Sequence, residues 1–406
     1  MKKRTIAKTG ATMLTMAMLL NGTPVFAAGT NYGPQIDGIK TTMFDKYLVM
    51  DQQANVPNVS FTYGVTAGAA KAYDVAGKKV QILAGVDADK VIMAGAGTGA
   101  AANTIKYAPG DAVAQDANAL VKNYDSATEK YAKKTATLDF SACNFTEPGI
   151  YRYIITESGT NQAVTNDEDA TRVVDVYVND ASDADGKKLT IAGYVLHSSE
   201  SDITAGDSFL GSDGTDPDGK SQGFTNEYDT SDLTFKKEVS GNQASHDKYF
   251  EFTVTITNAV PGTVYNVNLS NADTTSKSNA ATITENAGKT NPNELTVGTD
   301  GTVTQKFYLQ HGQEITIQGI AKDSKYSVTE NAEDYKSTAA GVADYIAPAS
   351  GTIESADLKT SYLNTRAGVI PTGVIMTVAP FAAVTLFGAA GMVKIRMSKK
   401  REDDEE

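Results

Sequence analysis

Between residues 30 and 366, apolar positions recur at every second residue far more often than at helical spacing. Val59-Ser-Phe-Thr-Tyr-Gly-Val65, Tyr151-Arg-Tyr-Ile-Ile-Thr156, Arg172-Val-Val-Asp-Val-Tyr-Val178 and Leu189-Thr-Ile-Ala-Gly-Tyr-Val-Leu196 carry this pattern in the first half. Phe250-Glu-Phe-Thr-Val-Thr-Ile256, Val303-Thr-Gln-Lys-Phe-Tyr-Leu309 and Glu314-Ile-Thr-Ile317 carry it in the second. A period of two puts alternate side chains on one face of a strand. Clusters of Gly, Asn, Asp and Pro separate the runs, so the pattern predicts an all-β chain of antiparallel sandwiches. One local helix is expected around Asp111 to Lys122, on a loop or insertion. The Ala- and Gly-rich stretch 86–119 predicts no particular structure.

The pattern repeats. Asp45-Lys46-Tyr-Leu-Val followed by Val59-Ser-Phe-Thr-Tyr has a counterpart in Lys236-Lys237-Glu-Val-Ser followed by Phe250-Glu-Phe-Thr-Val. Pro148-Gly-Ile-Tyr-Arg-Tyr-Ile-Ile-Thr-Glu157 matches Asp323-Ser-Lys-Tyr-Ser-Val-Thr-Glu330, and Gly223-Phe-Thr-Asn226 matches Ser361-Tyr-Leu-Asn364. Each copy thus runs from a Lys strand through a Thr-Glu strand to a final Asn strand, with the boundary near Asp229.

In both copies three polar residues occupy the apolar phase. Lys46 alternates with Phe44 and Leu48, and Lys237 with Phe235 and Val239. Glu157 shares a face with Tyr151, Tyr153 and Ile155, and Glu330 with Tyr326 and Val328. Asn226 lies in phase with Phe224 and Tyr228, and Asn364 with Tyr362. Lys and Glu are almost never fully buried unless paired. A buried ion pair with an Asn alongside is one explanation, but it is often no more stable than an apolar replacement. The other is chemical. Burial disfavours charge, so a Lys amine can lose its proton and a carboxyl can hold one. A neutral amine is a nucleophile, and an acid beside the Asn carboxamide can polarise it and shuttle protons as ammonia leaves. The product is a Lys–Asn isopeptide bond, made once per domain without enzyme or cofactor. Lys236 has the opposite phase to Lys237 and should face outward.

Composition narrows the alternatives. A length of 406 residues allows two or three domains. The 49 acidic against 36 basic side chains argue against nucleic acid as a partner. Cys143 is the one cysteine, which excludes an intramolecular disulfide, and it reads as a small buried hydrophobe beside Phe140 and Phe145. Histidines 197, 246 and 311 are scattered, and Asp183-Ala-Asp-Gly186 and Asp216-Pro-Asp-Gly219 fall short of a full calcium loop. No metal, cofactor or hydrolase site is expected.

Both ends differ from the body. Lys2, Lys3, Arg4 and Lys8 precede an apolar run and Val25-Phe-Ala27, which predicts a secretory signal cut between Ala27 and Ala28. Val374 to Val393 is an uncharged 20-residue span followed by Lys394, Arg396, Lys399, Lys400 and Arg401. Removing the ends takes away nine basic and five acidic residues and leaves 27 basic against 44 acidic, a net charge of −17.

Val369-Ile-Pro-Thr-Gly373 before the span resembles the cell-wall sorting signal of Gram-positive surface proteins, in the apolar-Pro-Thr-Gly form of some pilins. With the paired Lys–Glu–Asn sets and Leu233-Thr-Phe-Lys-Lys-Glu-Val-Ser-Gly241, the exported region resembles the two-domain backbone pilins of Gram-positive bacteria. That resemblance implies two tandem immunoglobulin-like (CnaB-like) β-sandwich domains, at 28–229 and 230–366. The signal peptide at 1–27 precedes them; a sortase motif, transmembrane helix and basic tail follow at 367–406. It pairs Lys46 with Asn226 through Glu157, and Lys237 with Asn364 through Glu330. It implies sortase cleavage between Thr372 and Gly373 and a Lys near the end of the first domain as the polymerising amine. Lys220, six residues before Asn226, stands at about that position, with Lys187 and Lys188 as weaker alternatives. The implied partners are a sortase, identical subunits, peptidoglycan and a host surface ligand. The implied location is the cell wall. The alternative is a non-polymerised wall-anchored adhesin or stalk. The 111 residues from Lys46 to Glu157 make the first domain longer than this class usually needs.

Overall fold

The computed structural model describes residues 36–75, 78–184, 186–198, 223–271 and 291–369. The predicted signal cut at Ala27 and Ala28, Lys220, and Thr372 with Gly373 and the apolar span after them lie outside these residues. In chain order the first strands are β1 (Ile36–Gly38), β2 (Thr41–Asp51), β3 (Val59–Ala67), β4 (Lys71–Val75), β5 (Lys78–Ala84), β6 (Ile92–Ala94) and β7 (Thr104–Tyr107). Next come β8 (Val113–Ala114), β9 (Glu129–Asp139), β10 (Gly149–Ser158), β11 (Val164–Thr165), β12 (Thr171–Asp180), β13 (Leu189–His197) and β14 (Gly223–Tyr228). They form two sheets. One has the order β1-β13-β12-β10-β3-β7 with the β4–β5 hairpin attached at β10; the other has the order β11-β14-β2-β9-β6 with β8 at β9.

After Asp229 the pattern restarts with β15 (Thr230–Ser240), β16 (Phe250–Thr257), β17 (Val264–Asn271), β18 (Glu294–Thr296) and β19 (Val303–Leu309). It ends with β20 (Gln313–Ala321), β21 (Lys325–Asn331), β22 (Lys336–Ala339), β23 (Ser350–Thr352) and β24 (Leu358–Thr365). Their sheets run β18-β17-β20-β15-β24-β22 and β19-β16-β21-β23. The two facing sheets of each half share one apolar cluster, so the chain is an all-β protein of two sandwiches. Strand β16 shows why: Phe250, Phe252, Val254 and Ile256 are buried while the residues between them are half-exposed, the signature of a one-sided strand.

The first half carries extra layers. Strand β2 is buried on both faces. Phe44, Leu48 and Met50 enter the sandwich core, whereas Tyr47 and Val49 pack outside it against Val121 and Tyr131. The segment around Asp111 to Lys122 supplies that cover as turns with the short strand β8, where a helix was expected. Among the described residues the only helical turn is a single 3-10 turn at Ala88–Lys90. The β4–β5 hairpin covers the outer face of β10 and β12, with Tyr73 and Ile82 packed on Val173 of β12. Beneath it Arg152 is fully buried and forks onto Asp175 at 2.8 and 2.7 Å, with its third nitrogen donating to the Tyr73 hydroxyl at 2.8 Å. These insertions account for the long separation between Lys46 and Glu157.

The two halves touch directly. Asn55 Nδ2 donates to the Val264 carbonyl and the Asn266 amide oxygen at 3.0 and 2.9 Å, and Asn58 Nδ2 to the Pro261 carbonyl at 2.9 Å. Gly319 has φ +68°, and a Cβ there would lie 2.6 Å from the Ala54 Cα, so this close approach admits only glycine.

Candidate functional site

The first and last strands of each half lie side by side and parallel. In the first, Phe224 of β14 pairs with Lys46 of β2, and Asn226 with Leu48. In the second, Tyr362 of β24 pairs with Lys237 of β15, and Asn364 with Val239. In both, the Asn sits opposite the residue two beyond the Lys, so a repeated register sets the same offset between amine and carboxamide. The Glu comes from the facing sheet, on β10 in one half and β21 in the other.

At the first site Lys46 is fully buried and its Nζ lies 2.7 Å from Glu157 Oε2. Asn226 Nδ2 donates to the other oxygen, Oε1, at 2.6 Å. One carboxyl thus spans the amine and the carboxamide nitrogen. The Tyr63 hydroxyl also donates to Oε2, at 2.6 Å. Lys46 Nζ stands 4.4 Å above the centre of the Phe61 ring. Burial lowers the Lys46 amine to about 8, against the pull of Glu157 in the opposite direction. The Asn226 orientation follows from its neighbours. The main-chain N–H of Asp167, which can only donate, faces Oδ1 at 2.9 Å, and Asn166 Oδ1 accepts from Nδ2 at 3.1 Å. The carboxamide oxygen therefore meets a backbone amide, and Glu157 contacts the nitrogen.

The second site uses the same three residue types with different surroundings. Lys237 is fully buried, and its Nζ lies 2.6 Å from Oε1 of Glu330, whose side chain is 1% exposed. Asn364 Nδ2 donates to that same oxygen at 3.1 Å, while Ser337 donates to Oε2 at 2.7 Å. Phe250 takes the place of Phe61, with Lys237 Nζ 4.3 Å above its centre. Phe252 pairs with Glu330 as Tyr63 pairs with Glu157, so the repeat aligns Phe250 with Phe61 and Phe252 with Tyr63, two residues away from the match expected from sequence. Burial lowers the Lys237 amine to about 8 as well. Asn364 Oδ1 is buried without a hydrogen-bond partner among the described residues.

The neighbouring Lys236 turns outward and pairs with Glu238 at 2.8 Å. Lys188 pairs with Asp183 at 2.9 Å on the surface, and Lys187 is exposed. Cys143 is buried in the first core, where burial pushes its thiol up to about 11. Among the described residues no group of three or more His, Cys, Asp or Glu side chains is arranged to hold a metal ion.

Sequence reasoning missed Tyr63, Asp167 and Arg172. Arg172 is fully buried on β12 and in phase with Val174, Val176 and Val178, the same signal that singled out Lys46. Its guanidinium bonds Asp167 Oδ2 at 2.6 Å and stands 4.4 Å over the Phe224 ring. Asp167 acts through its main chain, which leaves no mark in the residue pattern.

Residues 86–229 match a family described as a Spy0128-like isopeptide containing domain, and residues 231–366 match a domain of unknown function, DUF7601. A pilin of Streptococcus pyogenes serotype M1 is 23% identical over 393 residues, covering 92% of this chain and 96% of the relative. The crystal structure of a major pilin from Streptococcus pyogenes aligns at 19% identity and a TM-score of 0.49 over 82% of this chain and all of that one. A second major pilin from that species, T3.2, aligns at 21% identity and a TM-score of 0.48, covering 80% and 98%.

Proposed function

We infer that the chain is a backbone pilin of the Gram-positive kind: a structural subunit of a surface pilus, not an enzyme, whose identical copies polymerise. Each half closes one Lys–Asn isopeptide bond on itself. The observation that carries this reading is the pair of buried Lys–Glu–Asn sets at one strand register. At the first site the amine attacks Asn226 Cγ. A C–N bond forms, the carbonyl electrons move to Oδ1, and the Cγ–Nδ2 bond then breaks. Glu157, touching both nitrogens, relays a proton from the attacking one to the leaving one, and ammonia departs.

The bonds lie between the first long strand and the last strand of each half. A pull on the chain then passes from Lys46 to Asn226, along residues 227–236, and from Lys237 to Asn364, without loading the sheet hydrogen bonds. Sortase joins Thr372, released from Gly373, to Lys220 of the next subunit and finally to peptidoglycan. Intact mass of the exported region tests the crosslinks: two ammonias below the unmodified chain is the expected result, and an unmodified mass would sink them. A ladder of high-mass species in wall extracts that persists in Lys220→Ala would reject Lys220 as the polymerising amine.

A further inference from the structure

The carboxamide oxygen of Asn226 must carry negative charge once the amine has added. Groups aimed at such an oxygen in a dry site lower a barrier most, because they need no reorganisation when the charge appears. At the first site the group in place is the Asp167 main-chain N–H, 2.9 Å from Oδ1. Its aim is fixed by the side chain of the same residue, which is 1% exposed. Asp167 Oδ2 accepts from Arg172 Nη2 at 2.6 Å and from the Thr225 N–H at 2.8 Å, and Oδ1 from Lys122 Nζ at 3.0 Å. Burial pushes this carboxyl upward, but Arg172, the Thr225 amide and Lys122 outweigh it and hold it below its ordinary range, so the clamp stays ionised at neutral pH. Arg172 is anchored in turn, with Nε donating to the Gly223 carbonyl at 2.7 Å and Nη1 to the Asp169 and Thr171 carbonyls at 2.8 Å. The second site has no counterpart, since Asn364 Oδ1 is buried without a partner among the described residues.

We propose that the Asp167 main-chain N–H is the oxyanion donor of the first crosslink and that Arg172 is the residue positioning it through the Asp167 carboxylate. The proposal rests on the isopeptide reading above and assigns it a group that reading does not contain. As the amine adds, Oδ1 becomes an alkoxide held by this N–H. The charge returns to the carbonyl when Cγ–Nδ2 breaks, so the donor keeps its proton throughout.

The test uses the full exported chain made in a cell-free system, with each bond followed by the mass of its proteolytic fragments over time. In one variant an α-hydroxy analogue of aspartate replaces Asp167, turning its amide into an ester and removing only the N–H. The first bond should slow by about 100-fold, the loss seen for one oxyanion donor, and the second bond, in the same molecule, should keep its rate. An unchanged first-bond rate in this variant overturns the proposal and leaves the crosslinks standing. No ammonia loss in the unmodified chain removes the underlying reading and the proposal with it. Arg172→Lys supplies the positioning arm: its first bond should slow while the pH dependence of closure keeps its shape. A displaced pH profile would show Arg172 acting through its charge on Lys46, and would overturn its role through Asp167.

Discussion

The two buried Lys–Glu–Asn sets are one arrangement in two environments. Register, burial, the Phe beneath the amine and an amine lowered to about 8 are common to both. The surroundings of the carboxyl and the carboxamide are not. At the first site Glu157 divides its two oxygens between amine and leaving nitrogen, Tyr63 steadies it, and a backbone amide faces Asn226 Oδ1. At the second, one oxygen of Glu330 meets both nitrogens, a Ser337 hydroxyl donates to the other oxygen where Phe252 offers none, and Asn364 Oδ1 has no partner among the described residues. The lesson is a division of labour: strand register brings the amine and the carboxamide together, and contacts from loops and neighbouring strands set what surrounds them.

Removing the carboxyl tests what is common. Glu157→Ala and Glu330→Ala should each leave the chain one ammonia heavier by intact mass. Each also strands a buried Lys without its partner, a loss of about 3–5 kcal/mol on top of the missing crosslink. Chemical denaturation of each half reads that loss. If either variant still lost both ammonias, the carboxyl would not be the proton relay.

Blocking the reaction while keeping the amine exposes the burial directly. In Asn226→Ala, Lys46 remains an amine at about 8 in the folded state and 10.5 when unfolded. Between those values the unfolded chain holds a proton that the folded chain has released, so stability rises with pH across the window. The contribution is fully present above 10.5 and lost as pH falls to about 8, a span of roughly 3 kcal/mol. Asn364→Ala should behave alike, since Lys237 is lowered to the same degree. Denaturation curves from pH 7 to 10.5, compared with the crosslinked chain, measure it; a flat difference would mean the amines are not buried as described.

The sequence made this device half visible. Alternation alone finds Lys46, Glu157, Asn226, Lys237, Glu330 and Asn364, because a charged or amide side chain among apolar neighbours breaks a period of two. Arg172 breaks it in the same way, yet it begins a run so rich in Val that the run reads as ordinary core. Tyr63 does not break it at all: an aromatic ring belongs in that phase, and only its hydroxyl, 2.6 Å from Glu157, reaches the site. The outer layers on the first half were invisible for a related reason. Residues 111–122 and the β4–β5 hairpin bury a second face of strands that one-sided alternation describes only once.

Converting one site toward the other is the next smaller effect. Tyr63→Phe gives the first site the ring that the second already has. A hydrogen bond to a charged group is worth about 1.5–3 kcal/mol, and its loss should appear in the stability of the uncrosslinked first half, measured on the Asn226→Ala background. Closure should be no slower in the otherwise intact chain. The hydroxyl occupies Glu157 Oε2, the oxygen that faces Lys46 Nζ, and Phe leaves that oxygen free to take the proton. Slower closure in Tyr63→Phe would instead place the hydroxyl among the groups that lower the barrier.

The pH dependence of closure should be common to both sites and small over most of the range. The productive state, a neutral amine beside a protonated carboxyl, holds as many protons as the ion pair it arises from, so moving the proton between Lys46 and Glu157 consumes none. Closure is then independent of pH below about 8, where the amine of each pair loses the shared proton. Above it the pair has lost the proton that must pass to the leaving nitrogen, and the rate falls ~tenfold for each further unit, as for any single ionisation. A mechanism in which the carboxylate accepts a proton from solvent-equilibrated neutral amine gives the opposite slope, rising toward 8. Fragment masses taken over time after a pH jump of freshly made chain separate the two. A rate that climbs between pH 6 and 8 at either site would show that its Glu works as a base alone.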